Sequence, residues 1–205
     1  MDLENNTWNE GLLDDIFGTG DEKTRLAVFM LDCSGSMEGT IIGAVNSIME
    51  ELLEELCHRK DDAYVFVAEF GGKSSFSSDR ALSLKSFSNW QRVKTAGFTQ
   101  MGRMFREMAD LLISGSFCPS GKGGIAASFI LFSDGLATDD IDEGLKMLKR
   151  SGLFRNARRL AVNFSEFWDK ELLQDFAGGA ENVLNLKANE ANKAKRKIQD
   201  FLEEA

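Results

Sequence analysis

Two apolar runs in this sequence each end at an aspartate. Leu26–Leu31 stops at Asp32, and Phe129–Phe132, within the segment Ser128–Ser133, stops at Asp134-Gly135. Short apolar runs bounded by turn residues read as strands buried on both faces. Such strands need helices on both sides, and the sequence supplies them. Thr40–Leu56 places Ile41, Val45, Ile48, Leu52 and Leu56 at helical intervals, with Ile42, Met49 and Leu53 widening the stripe. Gln100–Ile113 repeats the pattern through Met104, Phe105, Met108, Leu111 and Leu112.

The rest of the chain keeps this alternation. Strands are expected at Ala63–Phe70, Leu160–Phe164 and Val183–Leu186, with a short edge strand at Ala81–Phe87. Helices are expected at Asp142–Arg150, Trp168–Phe176 and Ala188–Glu204. The fold class is therefore α/β: a doubly wound, mostly parallel sheet with one antiparallel edge strand and helices on both faces. In 205 residues with a single proline, this makes one domain, residues 21–205. An acidic N-terminal extension, residues 1–20, precedes it. There Trp8, Leu12, Leu13, Ile16 and Phe17 fall on one helical face. That spacing suits a short helix packed on its own domain, or a docking peptide for a partner groove.

The charge excludes some partners. With 33 acidic against 24 basic residues the net charge is −9. Such a surface repels phosphate backbones and anionic lipid, so neither nucleic acid nor a membrane is expected. Cys33, Cys57 and Cys118 are odd in number and match no zinc spacing. They point to a reducing, cytoplasmic setting. Met1-Asp2-Leu3-Glu4 lacks the basic-to-apolar progression of a signal peptide.

Ligands of doubly wound sheets bind beyond the carboxyl ends of the strands, where strand order reverses. Asp32-Cys33-Ser34-Gly35-Ser36 lies at such an end and offers one carboxylate and two hydroxyls at alternate positions. Thr99, just before the second helix, adds a hydroxyl, and Asp134 adds a second carboxylate. An all-oxygen set suits a hard divalent cation. Taken singly, each residue has a plain alternative: Ser34, Ser36 and Thr99 as helix caps, Asp134 as a turn former.

Together, Asp32, Ser34, Ser36, Thr99 and Asp134 resemble the metal-ion-dependent adhesion site of the von Willebrand factor A domain. The family's pattern is Asp-x-Ser-x-Ser, then a distant Thr, then a distant Asp. The resemblance implies that Ser34 and Ser36 hold Mg²⁺ (or Mn²⁺ or Ca²⁺) through their hydroxyls, that Thr99 does so directly or through water, and that Asp32 and Asp134 act mainly through waters. It also implies an open position for an Asp or Glu carboxylate of another protein, hence a non-enzymatic interaction module. Leu31–Met37, Ala96–Met101 and Ser133-Asp134-Gly135 leading to Thr138-Asp139-Asp140 are similar to bacterial stand-alone members of the tellurium-resistance type. That likeness implies a stress-response complex with a phosphatase or kinase partner. The sequence departs from the type at Ala137, where a proline is expected.

The alternative from another class is a Mg²⁺-dependent phosphotransferase or phosphohydrolase on a similar fold. Against it, position 34 is a serine, where an Asp-x-Asp phosphatase needs its general acid. Ser120-Gly121-Lys122-Gly123 fails the phosphate-loop spacing. His58, the single histidine, is placed at a helix end remote from Asp32, so no Ser-His-Asp triad is expected. Asp139, Asp140, Asp142 and Glu143 read equally as an acidic helix start or as a rim that adds negative potential near the metal.

Overall fold

A computed structural model describes residues 23–58, 63–86, 90–114, 117–118 and 124–204. The N-terminal extension and the Ser120–Gly123 segment lie outside the described residues. The expected alternation is present. Seven strands form one sheet: β1 (Thr24–Asp32), β2 (Ala63–Gly71), β3 (Lys73–Phe76), β4 (Leu82–Ser83), β5 (Ile125–Phe132), β6 (Arg158–Asn163) and β7 (Val183–Asn185). Their order is β3-β2-β1-β5-β6-β7, with β4 also on β2. β1 pairs in parallel with β2 and β5, and β5-β6-β7 continue in parallel. β3 and β4 run antiparallel to β2 and share that edge.

Six helices cover the sheet: α1 (Thr40–Cys57), α2 (Met101–Ile113), α3 (Ile141–Arg150), α4 (Gly152–Asn156), α5 (Lys170–Ala177) and α6 (Ala191–Glu203). The two-residue period of β1 sorts them into layers. Ala27, Phe29 and Leu31 face α1 and α6, against Val45, Ile48, Leu52, Ile198 and Phe201. Leu26, Val28 and Met30 face the other four helices, against Met104, Phe105, Leu148, Phe154 and Phe176. Because both faces are covered, β1 reads as a continuous apolar run.

Some elements differ from expectation for identifiable reasons. The Ala81–Phe87 segment pairs only through Leu82–Ser83 before a 3₁₀ turn at Leu84–Ser86. β3 was not expected, because Lys73-Ser74-Ser75-Phe76 carries no apolar alternation and is held by its ladder to β2. α5 starts after Trp168 because Asp169 accepts a hydrogen bond from the Leu172 amide (2.9 Å) and caps the helix there. Among the described residues no helix is long and apolar enough to cross a membrane.

Chain connections leave β1 toward β2 on one side and reach β5 on the other, so strand order reverses between β1 and β5. Their carboxyl ends are level, with Leu31 opposite Phe132. Asp32 and Asp134 therefore sit on adjacent central strands, at the switch point where such folds bind ligands.

Candidate metal centre

Asp32 is fully buried and each of its carboxylate oxygens is held by a neighbour. The Ser34 amide donates to Oδ1 (2.9 Å), and the Ser133 hydroxyl donates to Oδ2 (2.6 Å). The turn that follows brings the Ser34 and Ser36 hydroxyls to 3.1 Å from one another. Neither serine caps a helix with its side chain: Ser34 makes no such bond to the 3₁₀ turn Gly35–Met37, and the α1 N-cap is Gly39. The capping alternative for these serines therefore fails, and the two hydroxyls face each other in the turn after Asp32.

Thr99 is buried on a loop that the backbone ties to both aspartate loops. The Gly35 amide donates to the Gly97 carbonyl (3.1 Å), and the Ala96 amide to the Cys33 carbonyl (2.6 Å). On the other side, the Thr138 amide and hydroxyl both donate to the Thr99 carbonyl (2.9 and 3.0 Å). Thr99 is not a cap for α2 either, since its N-cap position is Gln100, with no side-chain cap bond. The structure thus brings Asp32, Ser34 and Ser36 together, and anchors the Thr99 loop between them and the Asp134 loop.

Asp134 behaves in two ways at once. Its Oδ1 accepts from the Leu136 amide (3.0 Å), which is the turn-forming role. Its Oδ2 is buried and has no hydrogen-bond partner. A buried carboxylate oxygen without a partner is costly, on the order of 1–3 kcal/mol or more. Burial also pushes the Asp32 carboxyl up to about 6, against the hydrogen bonds from Ser133 and Ser34, with the neighbouring Asp134 charge adding to the rise. Two buried acids with one unpaired oxygen, beside two hydroxyls, suit a divalent cation. Among the described residues no cluster of three or more His, Cys, Asp or Glu side chains could hold a metal. The hydroxyl-rich set is the fitting alternative.

Ser133 was not singled out from sequence as a site residue, and Asp139, read as a helix start or a rim, serves a helix start other than its own. Ser133 fixes the Asp32 carboxylate, and the signal for it was a hydroxyl interrupting an apolar run. Asp139 reaches across to cap α2, accepting from the Gly102 amide (3.0 Å) and the Arg103 amide (2.7 Å). Asp140 caps α3 by accepting from the Asp142 amide (3.1 Å). The acidic cluster therefore serves helix starts, as the helix dipole favours. Replacing Asp139 by alanine should cost about 1 kcal/mol, a melting-temperature loss of about 2–4 °C in a calorimetric scan.

His58 is exposed at the end of α1, with Nδ1 against the Glu54 carbonyl (2.6 Å). Cys33, Cys57 and Cys118 are not joined to one another by disulfides. Burial raises the Cys33 thiol to about 12, with smaller contributions from Glu69 and Asp32, which leaves it inert as a nucleophile.

The family model for the von Willebrand factor type A domain matches residues 27–201. Comparison with curated proteins finds no match. Among solved structures, the pilus adhesin SpaC from Lactobacillus rhamnosus GG is 13% identical with a TM-score of 0.66, the likeness covering 88% of this chain and 30% of that one. Manganese-loaded TRAP protein from Plasmodium vivax is 19% identical, with a TM-score of 0.59 over 83% of this chain and 71% of that one. Proximal thread matrix protein 1 from the mussel byssus, with a zinc-occupied MIDAS motif, is 14% identical, with a TM-score of 0.61 over 86% and 45%. The chain spans less than half the length of the adhesin and of the byssus protein. At these identities the likeness is one of fold.

Proposed function

The chain belongs to the von Willebrand factor type A family, and on that premise we propose that it is a non-enzymatic, metal-dependent protein-interaction module. Ser34, Ser36 and Thr99 would hold Mg²⁺ through their hydroxyls, with Asp32 and Asp134 holding its waters and orienting the hydroxyls. The observation that carries this reading is the unpartnered, buried Oδ2 of Asp134 at the switch point. Manganese and zinc in two proteins of like fold support a divalent cation of this kind.

Neutral hydroxyls quench little of a cation's charge, so Mg²⁺ held here presents an electrophilic position to an incoming carboxylate. The residues do the rest. Ser133 and the Ser34 amide keep the Asp32 carboxylate from turning away. The Leu136 amide holds one oxygen of Asp134 and leaves the other, buried and unpartnered, for the cation's waters. The partner would be a protein supplying an Asp or Glu side chain. The likeness of the Leu31–Met37 and Ser133–Asp140 segments to the tellurium-resistance type supports a cytoplasmic bacterial stress-response complex as the setting, with a phosphatase or kinase as the associate.

The experiment is a calorimetric titration with Mg²⁺ and Mn²⁺, followed by water proton relaxation on the Mn²⁺ complex. Binding with strong relaxation enhancement, reduced by an acidic peptide, is the expected result. Absence of divalent binding at millimolar concentration would overturn the reading. So would Mg²⁺-dependent hydrolysis of p-nitrophenyl phosphate that Asp32→Ala abolishes.

The raised carboxyl of Asp32 gives a pH dependence. Between about pH 4 and 6 the folded chain retains a proton there that the unfolded chain has already released. Metal-free stability should therefore fall as pH rises through that window, by on the order of 2–3 kcal/mol. Mg²⁺ should restore stability only above about pH 6, where the carboxylate is ionised. Melting curves from pH 4 to 7 in chelator and in Mg²⁺ check this, and Asp32→Asn should flatten the chelator curve.

A further inference from the structure

The described residues include four exposed large apolar side chains: Phe98 (74% exposed) and Leu136 (44%) stand on the loops that carry Thr99 and Asp134, and Phe167 (78%) on the loop before α5, which is hydrogen-bonded to the Asp134 loop. The fourth, Ile113, ends α2, well away from the site. Phe98 adjoins Thr99. Leu136 donates its amide to Asp134. Phe167 lies two residues before Asp169, whose amide donates to the Asp134 carbonyl (2.8 Å). Their backbones are pinned, the Phe98 carbonyl by the Gly72 amide (2.8 Å) and the Phe167 amide by the Ser165 hydroxyl (3.3 Å). Exposed apolar side chains on loops at and next to a cation position suit a carboxylate flanked by bulky apolar residues.

The chain itself carries such a segment: Leu12-Leu13-Asp14-Asp15-Ile16-Phe17. It cannot reach its own site. β1 begins at Thr24, hydrogen-bonded to Gly124 at the opposite edge of the sheet, about 26 Å below Asp32 at the usual strand rise. The stretch from Asp15 to Thr24 spans at most about 31 Å when fully extended. The route must also pass around a helix layer about 10 Å thick. A second copy is under no such limit.

We propose that residues 12–17 of one copy dock on the metal centre of another, Asp14 or Asp15 meeting the cation and the flanking apolar residues packing on Phe98, Leu136 and Phe167. This rests on the metal-site reading above. The net charge of −9 on each copy opposes association, so the contact depends on the cation. It joins two different surfaces, head to tail, and so can extend beyond a dimer.

The test uses the full chain in light scattering across a concentration series, in Mg²⁺ and in chelator, with calorimetry of Mg²⁺ binding alongside. The expected result is a mass that rises with concentration only in Mg²⁺. Asp14→Asn with Asp15→Asn, and separately Phe98→Ser with Phe167→Ser, should keep the chain monomeric where the parent associates, with the Mg²⁺ affinity of the dilute monomer and the melting temperature in chelator unchanged. A synthetic peptide of residues 8–19 should bind the Asp14→Asn, Asp15→Asn variant in Mg²⁺, and at least about 10-fold more weakly when its apolar residues are serine. A constant monomer mass with no peptide binding, while Mg²⁺ still binds, overturns this proposal and leaves the metal reading standing. Failure of Mg²⁺ itself to bind sinks both.

Discussion

Asp134→Asn should weaken Mg²⁺ or Mn²⁺ binding by about 10- to 100-fold, yet leave the metal-free fold as stable as before or more so. The two halves of that result come from the two oxygens of one carboxylate. An asparagine keeps the carbonyl that accepts from the Leu136 amide, so the turn after β5 survives. It removes a negative charge that raises the cost of ionising Asp32. It also replaces a buried, charged oxygen that no donor satisfies by a neutral amide nitrogen, cheaper to bury. A merely structural aspartate would behave in the opposite way, with cation binding unaffected and the melting temperature in chelator several degrees lower. Calorimetric titration paired with melting curves in chelator separates the two. Equal cation affinity for the variant and the parent chain would end the metal reading of this residue.

The contrast with Asp32 sharpens the point. Both of its oxygens are engaged by protein donors, so its substitution disturbs the turn that carries Ser34 and Ser36 as well as the charge. Asp134 is the cleaner probe because one half of it has no structural duty among the described residues.

The parts of this fold that showed in the sequence are those whose surroundings are set by their own period. The apolar runs Leu26–Leu31 in β1 and Phe129–Phe132 in β5 persist because helices cover both faces, and Asp32 and Asp134 after them mark where the sheet meets the site. α1 and α2 have wide apolar stripes because they pack flat on the sheet. The parts that did not show depend on partners distant in sequence. β3 exists through its ladder to β2. Asp139 caps a helix through the Gly102 amide, 37 residues before it, and nothing in its local sequence separates that role from capping α3, which Asp140 performs. The alternate spacing of Asp32, Ser34 and Ser36 was legible as a turn with three oxygens. That the hydroxyls face each other instead of capping a helix was settled only by the position of the α1 start at Gly39.

The loop that carries Thr99 gives the second large effect. Gly97 has a φ of +72°, and a Cβ built on it would lie 2.6 Å from the Gly72 Cα, a backbone atom that cannot swing aside. Gly39 has a similar φ of +82° but open space around its Cβ position. Alanine at either site takes a positive-φ backbone at a cost of about 1–3 kcal/mol, toward the upper end at Gly39 with its ψ of −122°; only at Gly97 must two loops also move apart. Gly39→Ala should therefore lower the melting temperature by the backbone cost alone, about 4–8 °C for about 2 kcal/mol. Gly97→Ala should cost about 3 kcal/mol or more, which is a fall of roughly 6–12 °C. Because the Gly97 carbonyl receives the Gly35 amide and the Gly72 amide meets the Phe98 carbonyl, the same displacement would pull Thr99 away from the serine turn. Cation affinity should fall with it in Gly97→Ala and stay intact in Gly39→Ala. Equal losses of stability in the two variants would show that the close approach of the loops carries no weight, and that the Thr99 loop is held by its hydrogen bonds alone.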